Sequence, residues 1–300
     1  MKLITFSEEE KIQIGVIQDQ VTIKLNTLSD LAAKKNGNDL RLPNDMLGLI
    51  SLGKHGIDQI ETLLSWLEEN DSYKNEVQID NSLIRVLAPI SNPGKVVCVG
   101  NNYMDHCIEQ NVEPPKQPMI FSKWASCIIG PNDTVILPED SEQVDYEAEL
   151  AVIIGKEGKD ISEDQALDYI YGYTVMNDVS ARDVQFKDVQ WVRGKSYDTF
   201  APLGPTIVTA DEIKDPHNLD IKLTVNGETL QDSNTKHLIH KIPYIISYLS
   251  RGFTFKPGDV IATGTPHGVG VFRNPPIFLK RGDVCKIEIQ NVGVLENTIY

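Results

Sequence analysis

Glu147 and Glu149 stand two residues apart in the otherwise apolar run VDYEAELAVIIG, residues 144–155. Side chains two apart on a strand share a face, so both carboxylates point one way while Tyr146, Ala148 and Leu150 take the other. Their Cα atoms fall about 6.5 Å apart, close enough for both side chains to converge on one ion. A divalent cation resolves the repulsion; a solvated strand face accounts for the pattern about equally well. A third acid, Asp178, ends the strand-like run YGYTVMND, where polarity begins. Taken alone it reads better as a turn or helix-cap aspartate. Together, three carboxylates without a His or Cys partner select a hard cation, Mg²⁺ or Mn²⁺ rather than zinc, with the remaining positions left to water and substrate oxygens.

The elements that must position these acids are mostly strands and turns. After residue 95, TVNGETLQ places Asn226-Gly227 between alternating runs, a strong hairpin signal, and KPGDVIATGTP and KRGDVCKIEIQ each put a Gly-Asp turn before a strand. Helix is expected over Ser162–Tyr171, with Ser162 and Gln165 as a capping box, and over Ile242–Gly252. Upstream, IQIGVIQDQVTIKL reads as a hairpin turning at Gln18–Gln20, and Ile60, Leu63, Leu64 and Leu67 fall at helical spacing beside Trp66. The polar stretch NEVQIDNS and the Pro and Gly before Val96 mark a boundary, giving a small N-terminal α+β module over 1–88 and a main domain over 89–300. Strands without regular intervening helices predict a mixed α/β, β-rich and largely antiparallel architecture, not a doubly wound sheet.

With 300 residues, 41% of them hydrophobic, the chain can bury a sizeable core. A formal net charge of -15 argues against nucleic acid or an anionic membrane as partner, while leaving a small anionic substrate in a local cationic pocket open. Cys98, Cys107, Cys127 and Cys285 show no CxxC spacing and are expected as buried thiols in a reduced compartment. The start MKLITFSEEEKIQ lacks signal- and transit-peptide character, and no stretch approaches the roughly 18 apolar residues of a membrane span. A cytoplasmic location is the expectation. His237 and His240 form an HxxH without a third ligand nearby, there is no GxSxG, and Gly264, Gly268 and Gly270 match neither GxGxxG nor a Walker loop.

In order along the chain, GNNYMDH, IFSK, VDYEAELAVIIG, NDVSARD, GKSYDTFAPLGP, VNGE and GDVIATGTPHGVG resemble the signature blocks of the fumarylacetoacetate hydrolase family. The resemblance covers residues 95 to about 295 and is closest to two-module members, oxaloacetate decarboxylases among them. It implies a β-roll main domain, metal ligation by Glu147, Glu149 and Asp178, and homodimers formed through the main domain. In HCIE, His106 and Glu109 lie three apart and would share one helical face, so the carboxylate can orient the imidazole. By spacing alone that is a surface pair; the resemblance makes it a catalytic dyad on a mobile lid, with Pro114–Pro118 suiting its hinge. The resemblance further implies that Lys123 and Lys195 line the pocket, Lys195 in a catalytic role, and that Arg182, Gln185 and Thr265 contact substrate or form the site wall.

Such a site suits a small 2-oxo acid, whose carboxylate and keto oxygens chelate a cation, so that an enolate is stabilised when a proton, a carboxyl or an acyl group leaves C3. Oxaloacetate decarboxylation or keto-enol tautomerisation is the leading expectation, with acylpyruvate hydrolysis where His106 activates water. The rival readings are isomerisation of 2-hydroxy-dienedioates and a non-catalytic binding or scaffold protein on the same fold.

Overall fold

The computed structural model describes residues 1–36 and 40–300. The run AELAVII folds as the strand Ala148–Ile154, buried at every position. An apolar run without alternation suits a strand covered on both faces, and this one sits inside the large sheet. It pairs antiparallel with Ile170–Asn177 on one side and Val260–Ala262 on the other. Beyond Val260–Ala262 come Val96–Gly100 and the edge strand Met119–Lys123. Beyond Ile170–Asn177 comes Ala201–Thr209.

The large sheet does not stop at the predicted module boundary. Lys2–Glu8 pairs antiparallel with Ala201–Thr209 and carries Lys11–Gln18, Val21–Lys24 and Gln78–Asp80 outward in turn. The expected hairpin turns at Asp19-Gln20, and the helix Lys54–Glu69 buries Ile60, Leu63 and Leu67 at the predicted spacing. A second sheet, in the order Glu228–Asn234, Asp220–Val225, Val284–Ile289, Gly293–Ile299 and Thr134–Val135, packs on the central strands of the first. Its first hairpin turns at Asn226-Gly227, as the sequence predicts. The fold is thus mixed α/β and β-rich, with one apolar core running from Leu3 to Ile299.

Two local expectations need correction. Residues 163–169 form a 3₁₀ helix and Ile170 already begins a strand, so no α-helix spans Ser162–Tyr171. Ser162 Oγ donates to Gln165 Oε1 at 3.0 Å instead of capping the backbone. The short helices Arg182–Lys187 and Val192–Lys195 were not foreseen, and both carry site residues. All four cysteines are free and buried. Among the described residues, no helix is long and apolar enough to cross a membrane.

Candidate active site

Glu147 lies just before the strand Ala148–Ile154, Glu149 lies within it, and Asp178 follows the paired strand Ile170–Asn177. Antiparallel register sets Ala148 opposite Asn177, which brings all three acids to one end of the pair. The Asp178 N–H donates to Glu147 O at 2.9 Å and fixes that corner. The three carboxylates are buried, and one oxygen from each lies within 4.8 Å of the others. The same-face spacing therefore does converge.

Buried cations partly balance this charge. Lys195 Nζ donates to Glu147 Oε2 at 2.8 Å and to Asp178 Oδ2 at 3.0 Å, and sits 4.9 Å from the Phe121 ring centre. Arg182 Nη2 pairs with Glu147 Oε1 at 2.8 Å, while its Nε donates to Asp145 Oδ2 and its Nη1 to Gln185 Oε1. Lys123 Nζ donates to Asp178 Oδ1 at 2.8 Å, to Val179 O at 3.0 Å and to Lys195 O. An ammonium has three protons, so Lys123 is fully committed behind Asp178 and holds that carboxylate instead of lining the cavity. This differs from its expected substrate contact.

The carboxyls respond unequally. Burial, then Asp178 and Glu147, push Glu149 well above the usual carboxylate range, and Lys195 and the Gly264 N–H at 2.9 Å offset this only in part. Burial acts in the same direction on Glu147, but Lys195 and Arg182 outweigh it and hold that carboxyl at about 2. Burial opposes the charged form of Lys195, yet Asp178 and Glu147 raise its pKa above the ordinary value.

His106 sits on the helix Met104–Gln110, buried, with Nδ1 2.6 Å from Glu109 Oε1. Glu109 Oε2 accepts the Gly268 N–H at 2.8 Å. Gly268 has φ +99°, and a Cβ there would lie 2.2 Å from Leu230 O, so this donor position requires glycine. His106 shares one small cavity of about 40 Å³ with Glu147, Glu149, Lys195, Gln185 and Thr265. Phe121, Phe186, Trp191 and Phe272 supply aromatic surface to its wall, the Trp191 ring lying where a Cβ on Gly100 would meet it at 2.8 Å. Thr265 Oγ1 accepts from Gln231 and Gln185 is held by Arg182, so both belong to the wall. A much larger depression of about 890 Å³, beside the start of the helix Lys54–Glu69, gathers none of these residues.

Several contributors escaped the sequence reading. Asp145, fully buried, takes Arg182 and the N–H groups of Gly270 and Val271. Its signal was available, because Asp145, Glu147 and Glu149 extend the two-residue spacing by one step. The backbone donors Gly264 and Gly268 and the aromatic wall had no such signal. His237 is not buried and His240 Nε2 meets Pro115 O, so the HxxH gathers no metal set among the described residues. The Glu147, Glu149 and Asp178 donor set, oxygen-only, buried and convergent, fits a hard divalent cation.

Residues 95–300 match the model of the fumarylacetoacetate hydrolase C-terminal family. The chain belongs to the fumarylacetoacetate hydrolase family. It is 48% identical over 266 residues to a Xenopus laevis protein named oxaloacetate tautomerase fahd2, mitochondrial, covering 88% of this chain and 81% of that one. Among solved structures, it superposes on a fumarylacetoacetate hydrolase from Exiguobacterium antarcticum with a TM-score of 0.80 and 35% identity, covering 100% and 99% of the two chains. A 5-carboxymethyl-2-hydroxymuconate delta-isomerase from Mycobacterium smegmatis follows the same fold at a TM-score of 0.74 and 32% identity, with 100% and 99% covered. The Xenopus protein and its bovine and human counterparts are named mitochondrial, which overturns the cytoplasmic expectation. Lys2–Glu8 is a strand of the folded sheet, so the composition of that segment describes a β-strand and says nothing of location.

Proposed function

We propose that this fumarylacetoacetate hydrolase family member interconverts the keto and enol forms of a small 2-oxo acid, oxaloacetate first, and decarboxylates it through the same enolate. The observation that carries the reading is the meeting, in one cavity, of Glu147 and Glu149, two of the three convergent carboxylates, with a histidine whose Nδ1 is already engaged. Glu147, Glu149 and Asp178 would hold Mg²⁺ or Mn²⁺. When bound, such an ion supplies Lewis-acid polarisation of the substrate's oxygens and offsets enolate charge.

The chain's own groups then divide the remaining work. Glu109 accepts from His106 Nδ1, which fixes the tautomer and leaves Nε2 to take or give the proton at C3. The Gly268 N–H holds Glu109, so the dyad keeps its aim. Lys195 brings a buried positive charge to the cavity wall beside the developing enolate. Arg182 lines the cavity itself and keeps Glu147 and Gln185 in place. Phe121, Trp191 and Phe272 give the cavity apolar surface that holds little water, which favours proton transfer over hydrolysis.

Residues 1–88 act as a scaffold in this reading, because none of them reaches the cavity. A homodimer through the main domain is part of the proposal; it is supported by the edge strand Met119–Lys123, which leaves Ile120 exposed, with Trp124 exposed just beyond. The isomerase among the structural relatives supports a second reading, isomerisation of a 2-hydroxy-dienedioate, which uses the same enolate. The deciding experiment assays purified protein with and without Mn²⁺ on oxaloacetate, acetylpyruvate and a hydroxydienedioate, following enol absorbance and carbon dioxide. Metal-dependent loss of the oxaloacetate enol is expected. No metal-dependent turnover of any of the three would overturn the reading.

A further inference from the structure

The cavity of about 40 Å³ has room for a few waters at most. A four-carbon oxo acid fits such a cavity only tightly, so the seating of its wall bears directly on how substrate enters. The helix Met104–Gln110 is the part of that wall whose attachments suit a change of seating. Both of its flanks are anchored: Asn102 bonds to His240 and to Thr263 O, while Pro115 O meets His240 Nε2 and Gln117 Oε1 accepts from Tyr248. Between these anchors Met104, Ile108 and Val112 are exposed, so apolar packing holds little of the outer face.

Polar contacts from the helix to the rest of the body supply the hold. Asp105 Oδ2 lies 2.8 Å from His267 Nδ1 and 3.0 Å from Ser233 Oγ, which donates to it, and Asp105 Oδ1 accepts the His106 N–H. Glu109 reaches Gly268, the residue next to His267. Two carboxylates of one short helix thus dock on adjacent residues of one distant loop. A carboxylate can only accept, so His267 Nδ1 carries the proton in this contact.

We propose that Asp105 and His267 form the latch that seats this helix, and that they are positioning residues for His106. The proposal rests on the reading of His106 as the proton-transferring base. Asp105 touches neither the cavity nor the carboxylate cluster, and His267 is exposed, so neither is placed to react. Their contact sets how far the helix, and with it His106, is closed over the site. A pair between an exposed histidine and a half-buried aspartate adds little to global stability, which separates positioning from folding.

The test compares wild type with His267→Ala, His267→Asn and Asp105→Asn in the full chain. Asparagine at 267 can place an amide N–H where Nδ1 stands. Hydrogen exchange of the 104–110 amides should rise roughly 3- to 10-fold in His267→Ala and further in Asp105→Asn, the scale of one or two lost hydrogen bonds. Turnover of oxaloacetate at saturating Mn²⁺ should fall by a similar factor with thermal midpoint and Mn²⁺ affinity unchanged, and His267→Asn should recover most of both losses. Unchanged exchange in His267→Ala overturns the latch, as does an equal defect in His267→Asn or a loss of activity that merely follows the thermal midpoint. An inactive wild type would sink the functional reading instead, and the exchange measurement would still decide the latch.

Discussion

Replacing Glu149 by Gln removes the acid least content with its charge. Its ligand oxygen lies within 4.8 Å of those of Glu147 and Asp178. At that separation two unit charges repel by about 3.5 kcal/mol with an effective dielectric of about 20. Glu149 faces two such neighbours, and the Lys195 ammonium, closer to the other two acids, relieves it only in part. In the ion-free protein, Glu149→Gln therefore removes repulsion and should leave thermal stability equal or higher. Cation binding should move the opposite way. Loss of groups that merely support a ligand costs 10- to 100-fold in metal affinity, so loss of a ligand carboxylate should cost at least about 100-fold for Mn²⁺. Calorimetric titration with Mn²⁺ and melting curves in EDTA read the two effects separately. Unchanged Mn²⁺ affinity would refute the ligand assignment; a large drop in the EDTA midpoint would refute the account of crowded carboxyls.

The remaining predictions follow from the same geometry. Because the Glu149 carboxyl is raised above its ordinary 4.5, the native chain keeps a proton that the unfolded chain releases, so this group's stabilisation is lost as pH rises above 4.5. In EDTA the stability of wild type relative to Glu149→Gln should accordingly fall from pH 5 to 7, and the gain from Mn²⁺ should grow; parallel melting series check it, and a flat difference refutes it. His106→Ala should cost about 10²- to 10⁴-fold in any acylpyruvate hydrolysis while sparing part of the Mn²⁺-dependent oxaloacetate decarboxylation. Equal losses would place His106 in a step common to both. A chain truncated to begin at Ala88 loses the buried Leu3, Ile4 and Phe6 and bares the edge of Ala201–Thr209, so it should aggregate; wherever a folded fraction survives, Mn²⁺ titration should find the site intact.

Period-two patterns were the legible part of this molecule. Glu147 and Glu149 could be placed on one side because strand geometry dictates it, and the Asn226-Gly227 hairpin because few other sequences tolerate that turn. The helices Arg182–Lys187 and Val192–Lys195 are too short to show a 3.6-residue period, yet they carry Arg182, Gln185 and Lys195. The capping box at Ser162 failed because its side chains satisfied one another. Lys123 was expected in the pocket on the family resemblance alone, and a sequence does not show the three acceptors already around it. The boundary expected near residue 88 rested on composition, whereas backbone pairing between Lys2–Glu8 and Ala201–Thr209 joins residues some 200 apart, a separation at which no local pattern survives.

The arrangement of Lys123, Lys195 and Arg182 bears on how the protein is made. These cations stand among Asp145, Glu147, Glu149 and Asp178, one more acid than bases, and burial beside Asp178 and Glu147 raises the Glu149 pKa, which works against that one excess charge. The chain is therefore near electroneutrality at its centre before any ion arrives, unlike small domains in which metal binding supplies the folding energy. Newly synthesised protein can reach its final shape first, and a cation held by the three acids would be acquired afterwards from whatever pool surrounds it. The ion would then be exchangeable cargo of a finished molecule, its identity set by supply in the compartment as much as by the site.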